Sequence, residues 1–181
     1  HKSNNPSMNK LNVVACDKAV IKPVLDKLEQ LNVDIQGISI EDIIVTQLLK
    51  QENANVLVFH TPGAQVLIAI VDNGQLCFSR RIHGYDNLHQ MSELDFSSGL
   101  LSNLGLEIQR SVDYALGQLK LESISNIFVV VQNFDSEKLV TELQSMFDVN
   151  VSKLEYTNSD KFVRFPLSLA AMLELELSEA G

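Results

Sequence analysis

The sequence predicts a mixed α/β fold in which one sheet carries helices on both faces, and three stretches support that reading. Val56 to Ile82 reads as three consecutive strands, with Asp72-Asn73-Gly74 as a hairpin turn, because Asn and Gly tolerate the positive φ it needs. Asn126 to Val131, "NIFVVV", is a continuous apolar run of the kind found in strands buried on both faces. Ser97 to Leu119 places Leu101, Leu104, Ile108, Val112, Ala115 and Leu119 at helical spacing, so a long amphipathic helix joins the two. A parallel core extending an antiparallel ribbon gives a mixed sheet.

The remaining elements follow in order. His1 to Lys10 is polar, has Asn-Pro turn chemistry, and reads as a linker or tag remnant. "LNVVAC", Leu11 to Cys16, suits a short strand. Asp17 can cap a helix to Gln30 whose apolar positions are Val20, Ile21, Val24, Leu25 and Leu28, with Pro23 as its weak point. Val33 to Ile40, "VDIQGISI", alternates at period two and reads as a strand. A helix from Glu41 to Gln51 starts with two carboxylates at its positive end and gathers Ile44, Val45, Leu48 and Leu49 on one face. The three strands of the meander are Val56 to His60, Gln65 to Val71 and Gln75 to Ile82. Asp135 can cap a helix to Phe147 that buries Leu139, Leu143 and Met146; Val149 to Glu155 makes a strand and Leu167 to Glu176 a last helix.

The order is thus β-α-β-α, then β-β-β-α-β-α-β-α. The second block is the ribonuclease-H-like order that the actin-like fold uses twice, and the first is the end of a preceding half-repeat whose opening strands would lie before residue 1. Residues 11–53 are expected to belong to the first lobe and 54–181 to the second. A lobe that starts partway would leave a sheet edge unpaired, which invites a homodimer.

Composition narrows the function classes. The 181 residues are 45% hydrophobic, enough for a proper core. The net charge is −9 and the 14 basic residues are spread along the chain rather than clustered, which argues against a nucleic-acid groove or an anionic membrane surface. Cys16 and Cys77 each sit in an apolar run and are expected to be buried free thiols in a reducing, cytoplasmic setting. No apolar run approaches the roughly 18 residues of a membrane span.

Three stretches carry a resemblance: "DIQGISIEDIIVTQLL", "NGQLCFSRRIHG" and "LEIQRSVDYALGQL". Together they resemble the PilM-type actin-like proteins of type IV pilus assembly, most of all the biogenesis protein I family of the mannose-sensitive haemagglutinin (MSHA) pilus. The most specific part is Glu107-Ile108-Gln109-Arg110-Ser111-x-Asp113-Tyr114, which is similar to that family's Glu-x-x-Arg-Ser-x-x-Tyr. The resemblance spans roughly residues 11–173. It implies a cytoplasmic actin-like platform, peripheral to an inner-membrane assembly complex, that holds the short cytoplasmic tail of a bitopic, PilN-like partner.

The resemblance also implies ATP bound between two lobes, and here the sequence departs from it. Where such a family carries Asp-Ile-Gly in its second phosphate hairpin, this chain has Phe59-His60-Thr61, so the metal-handling carboxylate is replaced. Thr61, Gly63 and Ala64 could still present backbone donors to phosphate, but Pro62 removes one. After "NIFVVV", relatives place a Gly-Gly pair for adenine; Gln132-Asn133-Phe134 stands here and is bulky. Phe134 can stack a base or serve as a hydrophobic staple. A degenerate nucleotide site is therefore expected at Thr61, Gly63, Ala64, Gln132 and Asn133, with no cofactor, ATP with magnesium being the disfavoured alternative.

Other chemistry is thin. His60, His83 and His89 lack metal-ligand spacing, and no Gly-x-Ser-x-Gly elbow supports a hydrolase triad. Glu41 and Asp42 suit a helix dipole better than a catalytic pair, since neighbours on a helix point about 100° apart. Arg80 and Arg81, adjacent on a strand, must face opposite ways, one toward an acidic neighbour and the other as a surface contact. Arg110 can form helix-surface pairs with Glu107 and Asp113, or anchor toward an interlobe cleft. The expected function is a non-catalytic actin-like scaffold of an MSHA-type pilus platform. The alternatives are an ATP-binding actin-like pilus protein and the cytoplasmic domain of a type II secretion L-type protein.

Overall fold

The structure, a computed structural model, describes residues 15–49, 52–132, 136–155 and 165–179. The chain divides into two units, residues 1–38 and 39–181. In the first, the Asp17 carboxylate caps helix α1 (Lys18–Gln30) by accepting the Ala19 N–H at 2.8 Å. Pro23 lies inside α1 without ending it. Lys22 and Asp26, one turn apart, pair at 2.8 Å on its surface. The chain turns out of the helix at Asn32, whose φ is 53°. Most of the expected Leu11 to Cys16 strand lies outside the described residues. Its last two residues carry no ladder, and Cys16 is exposed rather than buried, because it stands at the helix cap and not within a packed strand. The expected Val33 to Ile40 strand also carries no ladder. Alternation defines a face, but a strand also needs a neighbour to take its backbone bonds.

The second unit opens with helix α2 (Glu41–Ile44), which tightens into a 3₁₀ turn at Val45–Leu48. The expected helix to Gln51 stops there because Leu49 is extended, at φ −103° and ψ 90°. Both elements lie in this second unit.

Strands β1 (Ala54–His60), β2 (Val66–Asp72), β3 (Gln75–Ile82), β4 (Asn126–Val131) and β5 (Asn150–Lys153) form a five-stranded sheet among the described residues, in the order β3-β2-β1-β4-β5. The first three pair antiparallel, while β4 runs parallel to β1 and to β5. The β2–β3 turn has Asn73 at φ 49° and Gly74 at φ 76°, the paired positive values of a tight hairpin. The chain then passes through a 3₁₀ turn (Leu88–Gln90), helix α3 (Glu93–Asp95) and a π turn (Phe96–Leu100) kinked at Gly99, where φ is 84°. Helix α4 (Leu101–Gly117) crosses back to β4, α5 (Ser136–Gln144) leads to β5, and α6 (Pro166–Glu179) closes the described chain. Asp135, the expected cap of α5, lies outside the described residues.

Period two divides the core in two. Val56 and Val58 of β1, Ile68 and Ile70 of β2 and Ile127 and Val129 of β4 face α4 and α5, meeting Leu104, Ile108, Leu139 and Leu143. Leu57, Phe59, Leu67, Ala69, Phe128 and Val130 face the other way, onto Val45, Leu48 and Leu49 and onto Ala170 and Leu173 of α6. The helices thus cover both faces, and each fully buried Leu, Ile or Val contributes about 1.5–3 kcal/mol. A bulge in β3 pairs Ile70 with Phe78 and Val71 with Leu76, so Cys77 is the extra residue and both Cys77 and Phe78 pack on the α4 side. Met146, expected in the core, is partly exposed because α5 stops at Gln144; its sulfur lies over Gly105 of α4.

Candidate functional site

The end of β1 is the position of the expected phosphate hairpin. Pro62 has no N–H to offer. The Gly63 N–H donates to the Asp86 carbonyl at 3.3 Å and the Ala64 N–H to the Thr61 carbonyl at 3.0 Å. The Gly63 and Ala64 donors are therefore used within the chain. His60, fully buried, donates from Nε2 to the Asp86 carbonyl at 3.2 Å, since a carbonyl can only accept. Among the described residues its Nδ1 makes no hydrogen bond, nor does the buried Nδ1 of His89, on which the His60 ring stacks at 5.7 Å between centroids. Burial holds the His60 pKa below its ordinary 6.5, and the neighbouring His89 adds to that; the Asp86 carbonyl and carboxylate oppose it. The parallel pairing of His60 with Val131 brings Gln132 to the same end of the sheet as Thr61, Gly63 and Ala64. Asn133 and Phe134 lie outside the described residues.

A second site lies at β3. Arg80 and Arg81 do face opposite ways, and both are paired. Arg80 reaches α4, with Nε donating to Ser111 Oγ at 2.9 Å and an amino group to the Glu107 carbonyl at 2.5 Å and carboxylate at 2.9 Å. Arg81 reaches α2 and donates to Glu41 at 2.6 Å and Asp42 at 2.7 Å. The two carboxylates at the α2 N-terminus are thus an anchor for the edge strand as well as a dipole match. The expected surface role for one arginine gives way to a clamp on each layer.

On α4, Glu107, Ser111 and Tyr114 stand at i, i+4 and i+7 and all face β3: Tyr114 packs on Phe78 with ring centroids 4.8 Å apart. Arg110 lies at the rim, 68% exposed, and shares the Glu107 carboxylate with Arg80. Asp113 instead accepts from the Gln109 amide at 2.8 Å. The helix-surface pairing of Arg110 with Glu107 is therefore the one the structure makes. Between β3 and α4 opens a cleft of about 450 Å³. Its wall includes Tyr85, whose hydroxyl donates to the Leu100 carbonyl at 3.3 Å; burial raises its pKa, and the Glu107 charge raises it further. The i, i+4, i+7 spacing was readable in the sequence. The cleft was not, since only the fold brings β3 beside α4. Among the described residues, no cluster of three His, Cys, Asp or Glu side chains is placed to hold a metal, and no helix is long and apolar enough to cross a membrane.

This strand order, with helices on both faces, is the actin-like fold. Among solved structures, a chain of the PilM-PilN type IV pilus biogenesis complex matches at a TM-score of 0.63 and 10% identity, over 83% of this chain and 56% of that one. The apo ParM protein of psk41 matches at 0.47 and 14% identity, over 89% of this chain and 62% of that one. The chain therefore spans little more than half the length of the first of these. No protein-family model and no curated protein matches it. At such identities the likeness establishes the fold.

Proposed function

We propose that this chain belongs to the cytoplasmic, actin-like scaffold of a type IV pilus assembly platform of the MSHA kind. In this reading it docks the short cytoplasmic tail of a bitopic, PilN-like inner-membrane partner and performs no catalysis. The observation that carries the proposal is the fold likeness to a chain of the PilM-PilN complex, joined to the Glu107, Arg110, Ser111 and Tyr114 pattern. The non-catalytic part is supported at the β1 turn, where the chain's own carbonyls take the Gly63 and Ala64 donors and His60 fills the place of a metal-handling carboxylate. A phosphate at this turn would first have to displace those bonds.

Two measurements test it. Titrating the partner's N-terminal cytoplasmic peptide into the labelled chain is expected to shift a contiguous set of amide signals, and no shift at millimolar peptide would overturn the docking claim. Calorimetry with a non-hydrolysable ATP analogue and magnesium is expected to give no micromolar binding. Micromolar heat would overturn the scaffold claim.

A further inference from the structure

Resting on the scaffold reading, we propose that the docking site for an extended peptide is the open edge of β3 beside α4, and that the peptide carries an acidic side chain read by Arg110. Three observations lead there. Arg80, Arg81, Ile82 and His83 all line the cleft, yet consecutive strand residues point to alternate faces. A cleft that touches four in a row lies along the strand's edge.

That edge is open. Among the described residues β3 ends the sheet with β2 as its one neighbour, and the backbone of Arg80 to His83 makes no bond outside that ladder. Half of a strand's N–H and C=O groups point away from a single neighbour, and an added strand is the partner that satisfies them as a row.

Charge then selects the peptide. Glu107 is one carboxylate shared by two guanidinium groups, so the α4 wall of the cleft carries one positive charge; Arg81 turns to the other layer, where Glu41 and Asp42 more than offset it, and the chain as a whole carries −9. Arg80 is turned inward onto Ser111 and Glu107, so the excess falls to Arg110, the exposed member. A guanidinium fork with free N–H groups matches a carboxylate. Leu106, 57% exposed on the same rim, offers an apolar contact next to it. The recognised element is therefore an extended segment with one acidic and one apolar side chain.

The test uses three fluorescent eight-residue peptides of alternating Val and Thr. One has a central Glu, one a central Lys, and one the Glu with alternate backbone amides N-methylated. The Glu peptide should bind at least tenfold tighter than the Lys peptide, and N-methylation should abolish binding, since it removes strand pairing and leaves the charge. Arg110→Glu should reverse the Glu-over-Lys preference, while Arg110→Lys should keep its direction. Amide shifts should centre on Arg80 to His83. Equal binding of Glu and Lys peptides, indifference to N-methylation, shifts centred elsewhere, or light scattering showing that a second copy already occupies β3 would each overturn the proposal. If the partner's tail binds wild type and Arg110→Glu equally, this site is wrong and the scaffold reading stands. If the tail fails to bind wild type, the scaffold reading falls, and the synthetic peptides alone decide this inference.

Discussion

Replacing Arg80 by Met keeps the aliphatic stem against α4 and removes the guanidinium. Three hydrogen bonds go with it, to Ser111 Oγ, the Glu107 carbonyl and the Glu107 carboxylate. The side chains of Arg80 and Glu107 are 31% and 24% exposed, so solvent weakens the pair without erasing it. Breaking a fully buried ion pair costs about 3–5 kcal/mol because one charge is stranded. Here none is: Glu107 keeps Arg110, and the Ser111 hydroxyl keeps its 3.0 Å bond to the Glu107 carbonyl. The loss is then the bonds alone, at about 1 kcal/mol each in net terms, or about 2 kcal/mol once the site relaxes. For a domain of this size that corresponds to about 4–8 °C in Tm. Urea denaturation of wild type, Arg80→Met, Glu107→Gln and the double variant measures both the loss and the coupling, expected at about 1 kcal/mol. A loss under about 0.5 kcal/mol, or purely additive single variants, would refute the clamp.

Three further outcomes are expected. The His60 pKa lies below its ordinary 6.5, so as pH falls the unfolded chain takes up that proton first and stability drops from about pH 6.5 downward, by at most about 1.4 kcal/mol per pH unit. Among the groups facing it are His89 and Asp86; His60→Phe should flatten this part of the denaturation profile between pH 7.5 and 5, and an unchanged slope would contradict the assignment. Gly99→Ala forces a Cβ onto φ 84° and should cost about 1–2 kcal/mol, whereas Gly105→Ala meets only the movable Met146 sulfur and should stay within about 0.5 kcal/mol of neutral, the helix gain offsetting the contact. Ile108→Ala, fully buried between α4 and the sheet, should lose about 2–5 kcal/mol by calorimetry, and a loss below about 1 kcal/mol would show that the core there collapses around it.

Much of the architecture was legible because its signals are local. The positive φ of Asn73 and Gly74, the Asp17 cap, the heptad-like run from Leu101 to Ala115 and the two-faced apolar strands each follow from a few neighbouring residues. Cys16 and Val33 to Ile40 failed for one shared reason: an apolar or alternating run specifies a face, and burial or pairing needs a second element that the run does not contain.

The candidate site divides along the same line. By itself the sequence determined that Arg80 and Arg81 must diverge and that Arg110 stands one helical turn from Glu107. Backbone periodicity suffices for each. Tertiary structure alone decided that the Gly63 N–H is taken by Asp86, 23 residues on, that Arg81 finds Glu41 and Asp42, and that one Glu107 carboxylate serves two arginines beside an open strand edge. Those pairings join residues far apart in the chain, and only the order of strands in the sheet and the crossing of α4 put them within bonding distance.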